Sequence, residues 1–278
     1  MKIEYILSKG SGTINEDTLV METDIFGVFD GATSLDKAIF SGIKTGGMIA
    51  SSTASAVFSK NHYPLLDLAK EANNAIHYEM KSHGVNVLAR ESLWSTSAAV
   101  VRIKDKRLEW IQTGDSFIIL IYTDNSYKVL TKREDHDFET LSIWKKIAES
   151  SSLLIHETLK DQIQKTRCSM NRSYGVLNGE KEAEVFFKSG IESLKNVKEI
   201  LIFTDGLDIP AQTPVKEKNF DILVELFLCL GLKGLKEHIR EIEKKDPRCI
   251  KYPRFKCHDD IAAICIRPDM ILQQFSGI

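Results

Sequence analysis

An α+β fold with largely antiparallel sheets is predicted by the order of strand-like and helix-like segments. Short strands come first, two helices follow, hairpin-like segments fill 95–131, and isolated strands return late. Nowhere does the chain show the regular strand–helix–strand alternation of a parallel sheet. The 278 residues are 43% apolar and 27% charged, an ordinary globular composition. A chain this long buries about 70–75% of its unfolded surface, so a core forms without covalent staples.

The opening, Met1–Leu7, has strand composition, and the Gly- and Ser-rich Ser8–Thr13 reads as a turn. Thr18–Met21 is a second short strand. Ile25–Phe29 is a third, ending at Asp30-Gly31. Ser34 and Asp36 are placed to cap a helix running through Ser41–Phe58. Its small residues Gly42, Gly46, Gly47, Ala50 and Ala54 permit close packing. Leu65–His83 is a second helix, with Leu65, Leu68, Ala69, Ala72, Ile76 and Met80 near 3.6 spacing. Ser95–Ile103, Arg107–Thr113, Phe117–Thr123 and Tyr127–Thr131 are strands rich in β-branched and aromatic residues. With turns at Lys104-Asp105-Lys106, Gly114-Asp115 and Asp124-Asn125, they predict one antiparallel meander. Residues 137–165 are polar and helical. Ile200–Phe203 is an apolar strand ending at Thr204-Asp205-Gly206. Phe220–Leu230 and Lys233–Lys244 are helices, and Ile261–Ile266, after His258-Asp259-Asp260, is the last strand. Without repeats, low-complexity tracts or linkers, residues 1–278 are expected to form a single domain.

A formal charge of −2 argues against a nucleic-acid-coating protein, which is normally basic. No apolar run approaches 18 residues, so no membrane span is expected. The N-terminus lacks a secretory pattern. Five cysteines, without a C-x-x-C pair, fit reduced thiols. A cytoplasmic monomer with neither nucleic-acid nor membrane partner is expected.

The chemistry lies in acidic residues where strands meet turns: Glu16-Asp17, Asp30-Gly31, Asp205-Gly206 and Asp259-Asp260. A single Asp-Gly is more often a turn than a site. The combination, with apolar segments adjoining the last three, carries the argument. Converging carboxylates cost several kcal/mol unless cations neutralise them. An all-oxygen set selects Mg²⁺ or Mn²⁺ over zinc. Two such ions, bridged by one carboxylate, hold a hydroxide nucleophile and neutralise a phosphoryl group.

Six motifs, in order, resemble those of the metal-dependent Ser/Thr protein phosphatases, the protein phosphatase 2C family, in its bacterial type. They are Asn15-Glu16-Asp17; Phe26-Gly27-Val28-Phe29-Asp30-Gly31; Trp94-Ser95-Thr96-Ser97-Ala98-Ala99-Val100; Thr113-Gly114-Asp115-Ser116; Phe203-Thr204-Asp205-Gly206-Leu207; and His258-Asp259-Asp260-Ile261-Ala262. The resemblance implies two antiparallel sheets packed face to face with helices outside. A variable segment at about 132–195 would cover the cleft, with Arg167, Arg172 and Tyr174 near a substrate or on a solvated face.

Carried over, Asp30 bridges two Mn²⁺ or Mg²⁺ ions, and the Gly31 carbonyl is a ligand of one. Asp205 and Asp259 share one ion. Glu16 serves the other, with Asp17 bound through water or behind it. Asp115 matches the position of a third, weaker metal, or is a hairpin-turn aspartate. Asp260, where the family has Asn, orients Asp259. Asp30, Asp205 and Asp259 are the implied catalytic set, and a metal-bridging water attacks phosphoserine or phosphothreonine of a protein substrate without a phosphoenzyme.

Two departures stand out. The family's phosphate-clamping Arg falls at Gly12, leaving Lys9, Arg90 and Arg172 as candidates for that charge. The His or Met often following Asp-Gly is Ala32. His258 neighbours Asp259, but adjacent strand residues point to opposite sides, so a structural role is expected for it, as for Trp94 and Trp110. A haloacid-dehalogenase-like phosphatase needs Asp-x-Asp, and positions 28 and 32 are Val and Ala. A non-catalytic regulatory or binding protein on the same fold is the alternative, favoured by Gly12 and disfavoured by the retained Asp30, Asp205 and Asp259.

Overall fold

Alternation of side chains along the strands sets the layers. The computed structural model describes residues 1–32, 39–40, 42, 44–131 and 136–268. Its strands are β1 (Lys2–Ser8), β2 (Thr18–Met21), β3 (Ile25–Ala32), β4 (Ser95–Lys104), β5 (Arg107–Thr113), β6 (Phe117–Tyr122), β7 (Tyr127–Val129), β8 (Lys188–Ser193), β9 (Val197–Phe203) and β10 (Ile261–Arg267). They form two five-stranded sheets, β1-β10-β9-β6-β7 and β2-β3-β4-β5-β8. Every pairing is antiparallel.

The helices are α1 (Gly46–Ser59), α2 (Leu65–Ser82), α3 (Phe138–Ile147), α4 (Ile155–Thr158), α5 (Lys160–Arg167) and α6 (Asp221–Lys244). Between the sheets, Phe26 and Val28 of β3 and Ala99 and Val101 of β4 meet Ile118, Ile200, Ile202 and Ile264. The alternate residues face outward. Ile25, Phe29 and Val100 pack on α1 and α2 through Ile49, Leu68 and Ile76. Phe117, Leu201, Phe203 and Ala263 pack on α6 through Phe227, Leu235 and Ile239. The result is the expected helix–sheet–sheet–helix sandwich. No helix among the described residues is long and apolar enough to cross a membrane.

Several elements differ from expectation. The segment 95–131 is not one meander: β5 pairs with β4 and β8, whereas β6 pairs with β7 and β9. The chain crosses between sheets at Gly114-Asp115-Ser116, so a predicted hairpin turn is a crossover. The helix expected from Ser41 begins at Gly46, capped by Thr45, whose Oγ1 accepts from the Met48 N–H at 3.2 Å. A Cβ on Gly46 would lie 2.1 Å from the Trp94 ring. The proposed caps Ser34 and Asp36 lie outside the described residues. The strand β8, inside the supposed variable segment, is an edge strand in which Ile191 is exposed. The expected break between the last two helices is a kink in α6 at Gly231, where φ is 72°, a conformation that glycine adopts without steric cost.

The helices of 138–167 are fastened beside the cleft. Trp144, Ala148 and Ile155 form a small core with Ile250 and Phe255, and the Trp144 indole N–H donates to the Cys249 carbonyl at 2.8 Å.

Candidate metal centre

The face that builds the inter-sheet core continues into the candidate site. On β3, Phe26 and Val28 point between the sheets, and two residues further the same alternation brings Asp30 onto that face. Register places the other motifs at this end: Thr18 pairs with Phe29, and Phe203 pairs with Phe117 and Ala263. Asp17, Asp115, Asp205 and Asp260 therefore leave or enter their strands at one edge of the sandwich.

Backbone contact fixes the first pair of motifs. A Cβ on Gly31 would stand 2.5 Å from the carbonyl oxygens of both Glu16 and Gly47, so only glycine fits. The Thr45 hydroxyl donates to the Glu16 carboxylate. Asp260 holds the incoming loop: its carboxylate accepts from the Gly10 N–H at 2.7 Å and the Glu16 N–H at 2.8 Å. Its backbone N–H donates to Asp259 Oδ1 at 2.8 Å. The Asp260 side chain thus positions Glu16, and it is the backbone that orients Asp259.

Asp17 is buried, and its Oδ2 accepts from the Thr204 hydroxyl at 2.7 Å. Thr204 Oγ1 in turn accepts from the Ala262 N–H at 3.0 Å. Burial drives the Asp17 carboxyl well above the usual carboxylate range; the Thr204 bond opposes this, and Asp259, Asp260 and Asp205 add to it. Burial also drives Asp30 far up, reinforced by Asp17, Asp205, Asp115 and Asp259. The structure thus brings Asp17, Asp115, Asp205 and Asp259 within electrostatic reach of Asp30. Asp205 opens a turn after β9 and lines a cleft shared with Asp259, Lys256, Arg254 and Phe138.

Around Asp30 the donors are carboxylate oxygens, and no hydrogen bond among the described residues offsets the burial of the Asp30 carboxyl; among those residues, only beside Asp115 does a nitrogen, His136 Nε2, stand with them. Hard divalent cations fit such a set.

Asp115 has neighbours that sequence reasoning missed. His136 Nε2 lies 3.8 Å from Asp115 Oδ2 and 3.5 Å from Asp137 Oδ2, and its ring stacks on Tyr174 with centroids 4.0 Å apart. No motif joins Asp115 to position 136 in sequence.

The candidate cations separate clearly. Lys9 is exposed, with Nζ donating to the Thr13 carbonyl at 3.2 Å. Arg90 is bound to Glu180 and to the carbonyls of Cys168 and Met170. Arg172 is exposed. Lys256 does reach the cluster: its Nζ donates to Asp259 Oδ1 at 2.8 Å. Burial by itself lowers the Lys256 ammonium; Asp259, with Asp30 and Glu16 nearby, more than reverses this and holds it above the ordinary lysine range. Lys256 lies three residues before Asp259 and belongs to none of the motifs, so no sequence signal marked it.

His258 takes a structural part: its Nδ1 is 2.9 Å from Glu243 Oε2, and its carbonyl accepts from the Ser11 N–H at 2.8 Å. Trp94 and Trp110 are buried.

The family model for protein phosphatase 2C matches residues 9–242. The chain belongs to the protein phosphatase 2C family. No curated protein sequence matches it. Its fold is similar to the catalytic domain of the Ser/Thr protein phosphatase PstP in complex with two manganese ions. That match has 14% identity and a TM-score of 0.59, covering 95% of this chain and 96% of the other. The phosphatase PstP/Ppp of Mycobacterium tuberculosis is similar at 15% identity and a TM-score of 0.57, covering 95% and 97%. The Ser/Thr phosphatase Stp1 of Staphylococcus aureus is similar at 13% identity and 0.58, covering 97% and 95%. These likenesses establish the protein phosphatase 2C fold for the chain.

Proposed function

We propose that this protein phosphatase 2C chain is a metal-dependent phosphatase that hydrolyses phosphoserine and phosphothreonine in proteins, with residues 1–278 acting as one catalytic domain. The observation that carries the reading is the convergence of Asp17, Asp30, Asp205 and Asp259 at one end of the sandwich, where burial and mutual repulsion drive Asp17 and Asp30 upward. Manganese in the structurally similar PstP supports the identity of the ions.

Asp30, the Gly31 carbonyl, Asp205 and Asp259 would hold two Mn²⁺ or Mg²⁺ ions, together with Glu16 and with Asp17 behind or through water. Asp115 would serve a third. When bound, the ions supply Lewis-acid charge neutralisation and activation of water at neutral pH. The chain's own residues set the stage. Thr204 fixes the Asp17 carboxylate, Thr45 the Glu16 carboxylate, and the Asp260 N–H the Asp259 carboxylate. Such supporting bonds tune ligand geometry and affinity. The cleft beside Phe138 and Arg254 admits the phosphorylated segment.

The test is phosphate release from a small aryl phosphate and a phosphothreonine peptide, with Mn²⁺, Mg²⁺ or EDTA. Hydrolysis that needs the metal and is lost in Asp30→Asn is expected. Hydrolysis undiminished in EDTA or in Asp30→Asn contradicts the proposal. Two bound metals without turnover on either substrate would favour the regulatory alternative to which Gly12 points.

A further inference from the structure

We infer that Lys256 binds the phosphoryl group of the substrate, taking the part that a guanidinium would play if position 12 were not glycine. The inference rests on the phosphatase reading above.

Lys256 Nζ bonds Asp259 Oδ1 at 2.8 Å, and Asp259 is itself a proposed metal ligand. The same Oδ1 accepts the Asp260 N–H at 2.8 Å, so Asp259 Oδ2 is the oxygen open to a divalent ion and Lys256 stays bonded beside it. An ammonium has three N–H donors, and among the described residues one of them is used, on Asp259. An anion arriving at the metals meets the remaining donors.

Charge balance points the same way. Counted as carboxylates, Glu16, Asp17, Asp30, Asp205 and Asp259 outnumber the charge of two divalent cations by one. A phosphate monoester brings about two more at neutral pH. Lys256 cancels the excess before the ester arrives.

The other cleft-side cations are committed elsewhere. Arg240 bonds the Glu243 carboxylate at 2.7 Å and the Asp259 carbonyl at 2.6 Å. Arg254 bonds Asp246 and the carbonyls of Glu243, Tyr252 and Cys257. Lys218 pairs with Asp208. The Lys256 side chain bonds a carboxylate of the proposed metal set. Arg90 is held by Glu180 and the carbonyls of Cys168 and Met170, and Lys9 donates to the Thr13 carbonyl. An ammonium acts as a point charge rather than a bidentate fork, so the phosphoryl group is held by charge with looser orientation.

The experiment titrates inorganic phosphate into the Mn²⁺-loaded full chain by calorimetry, for wild type, K256Q, K256M and K256R. Phosphate affinity is expected to fall about 10- to 100-fold in K256Q and K256M, as for loss of one charge-assisted hydrogen bond. K256R should stay within a few-fold of wild type, and Mn²⁺ affinity should not weaken in any variant. In hydrolysis, KM should rise more than kcat falls. Unchanged phosphate affinity in either neutral variant overturns the inference. So does a neutral variant that only tightens Mn²⁺, for the lysine would then be a mere stand-in for the metal. Wild-type protein that takes up Mn²⁺ but no phosphate would contradict this inference and the phosphatase reading together; phosphate binding indifferent to Lys256 would contradict this inference alone.

Discussion

Two stretches of one surface, the inner face of the sandwich, differ sharply in chemistry. In the middle, Phe26, Val28, Ala99, Ile118, Ile202 and Ile264 are fully buried and wholly apolar. At the end, the same alternation delivers Asp30, with Asp17, Thr204 and Asp260 around it. The middle is held together by burial, about 25 cal/mol per Å² of apolar surface. The end is held apart by like charge. A single sheet geometry therefore serves both, and two residues of β3 separate stability from chemistry. The apolar middle makes the end rigid enough to keep repelling carboxylates together.

Substitutions on either side of that boundary should have opposite signatures. The largest effect is expected from Asp30→Asn, which should lower metal-dependent hydrolysis by more than about 100-fold while leaving folding intact. Steady-state kinetics with circular dichroism measure both. A folded variant with near-normal turnover would erase the distinction between the two stretches.

Ile202→Ala, in the middle, should do the reverse. It should cost about 2–5 kcal/mol of stability through lost burial and a residual cavity, read by denaturant titration, with turnover per folded molecule little changed. A selective loss of activity would show that the core and site are not separable.

Thr204→Val sits on the boundary, because the hydroxyl bonds both Asp17 and the Ala262 N–H. Mn²⁺ affinity should weaken about 10- to 100-fold, as for other residues that orient ligands, measured by calorimetry.

The smallest effect concerns the metal-free protein. An ordinary Asp titrates near ~4 in the unfolded chain, whereas Asp17 is raised in the folded one. Above that pH the folded state holds more protons than the unfolded state. Metal-free stability therefore falls as pH rises from about 4 through the folded-state value. Asp17→Asn keeps an oxygen for Thr204 and removes the charge. Its metal-free form should melt above wild type by about 2–4 °C near pH 7, with the gap closing toward pH 4. A gap that widened as pH fell would reverse the sign and contradict the assignment.

Much of this boundary was legible beforehand. The apolar segments around Asp30, Asp205 and Asp259 predicted rigid strands beside carboxylates, and the α+β architecture followed from element order. What escaped was non-local. The β5–β6 crossover looks like any Gly-Asp hairpin turn, because turn residues report local backbone geometry and not which sheet the next strand joins. The strand β8, Lys-Ser-Gly-Ile-Glu-Ser, is an edge with an exposed Ile191, so it lacks the apolar signature of a central strand. His136 and Lys256 reach the acidic end only through tertiary packing, as in the Trp144 cluster that fastens 138–155 against 249–255. The carboxylates of the proposed site lie in motifs; Lys256 and His136 do not.

The most direct test of the account is the stoichiometry of Mn²⁺ on the full chain, measured by calorimetry and electron paramagnetic resonance in wild type and Asp30→Asn. Two ions per wild-type chain, magnetically coupled, with the coupled pair lost in Asp30→Asn, is the predicted result. No bound Mn²⁺ in wild type, or an unchanged coupled pair in Asp30→Asn, would contradict the claim that this end of the sandwich is a two-metal site organised around Asp30.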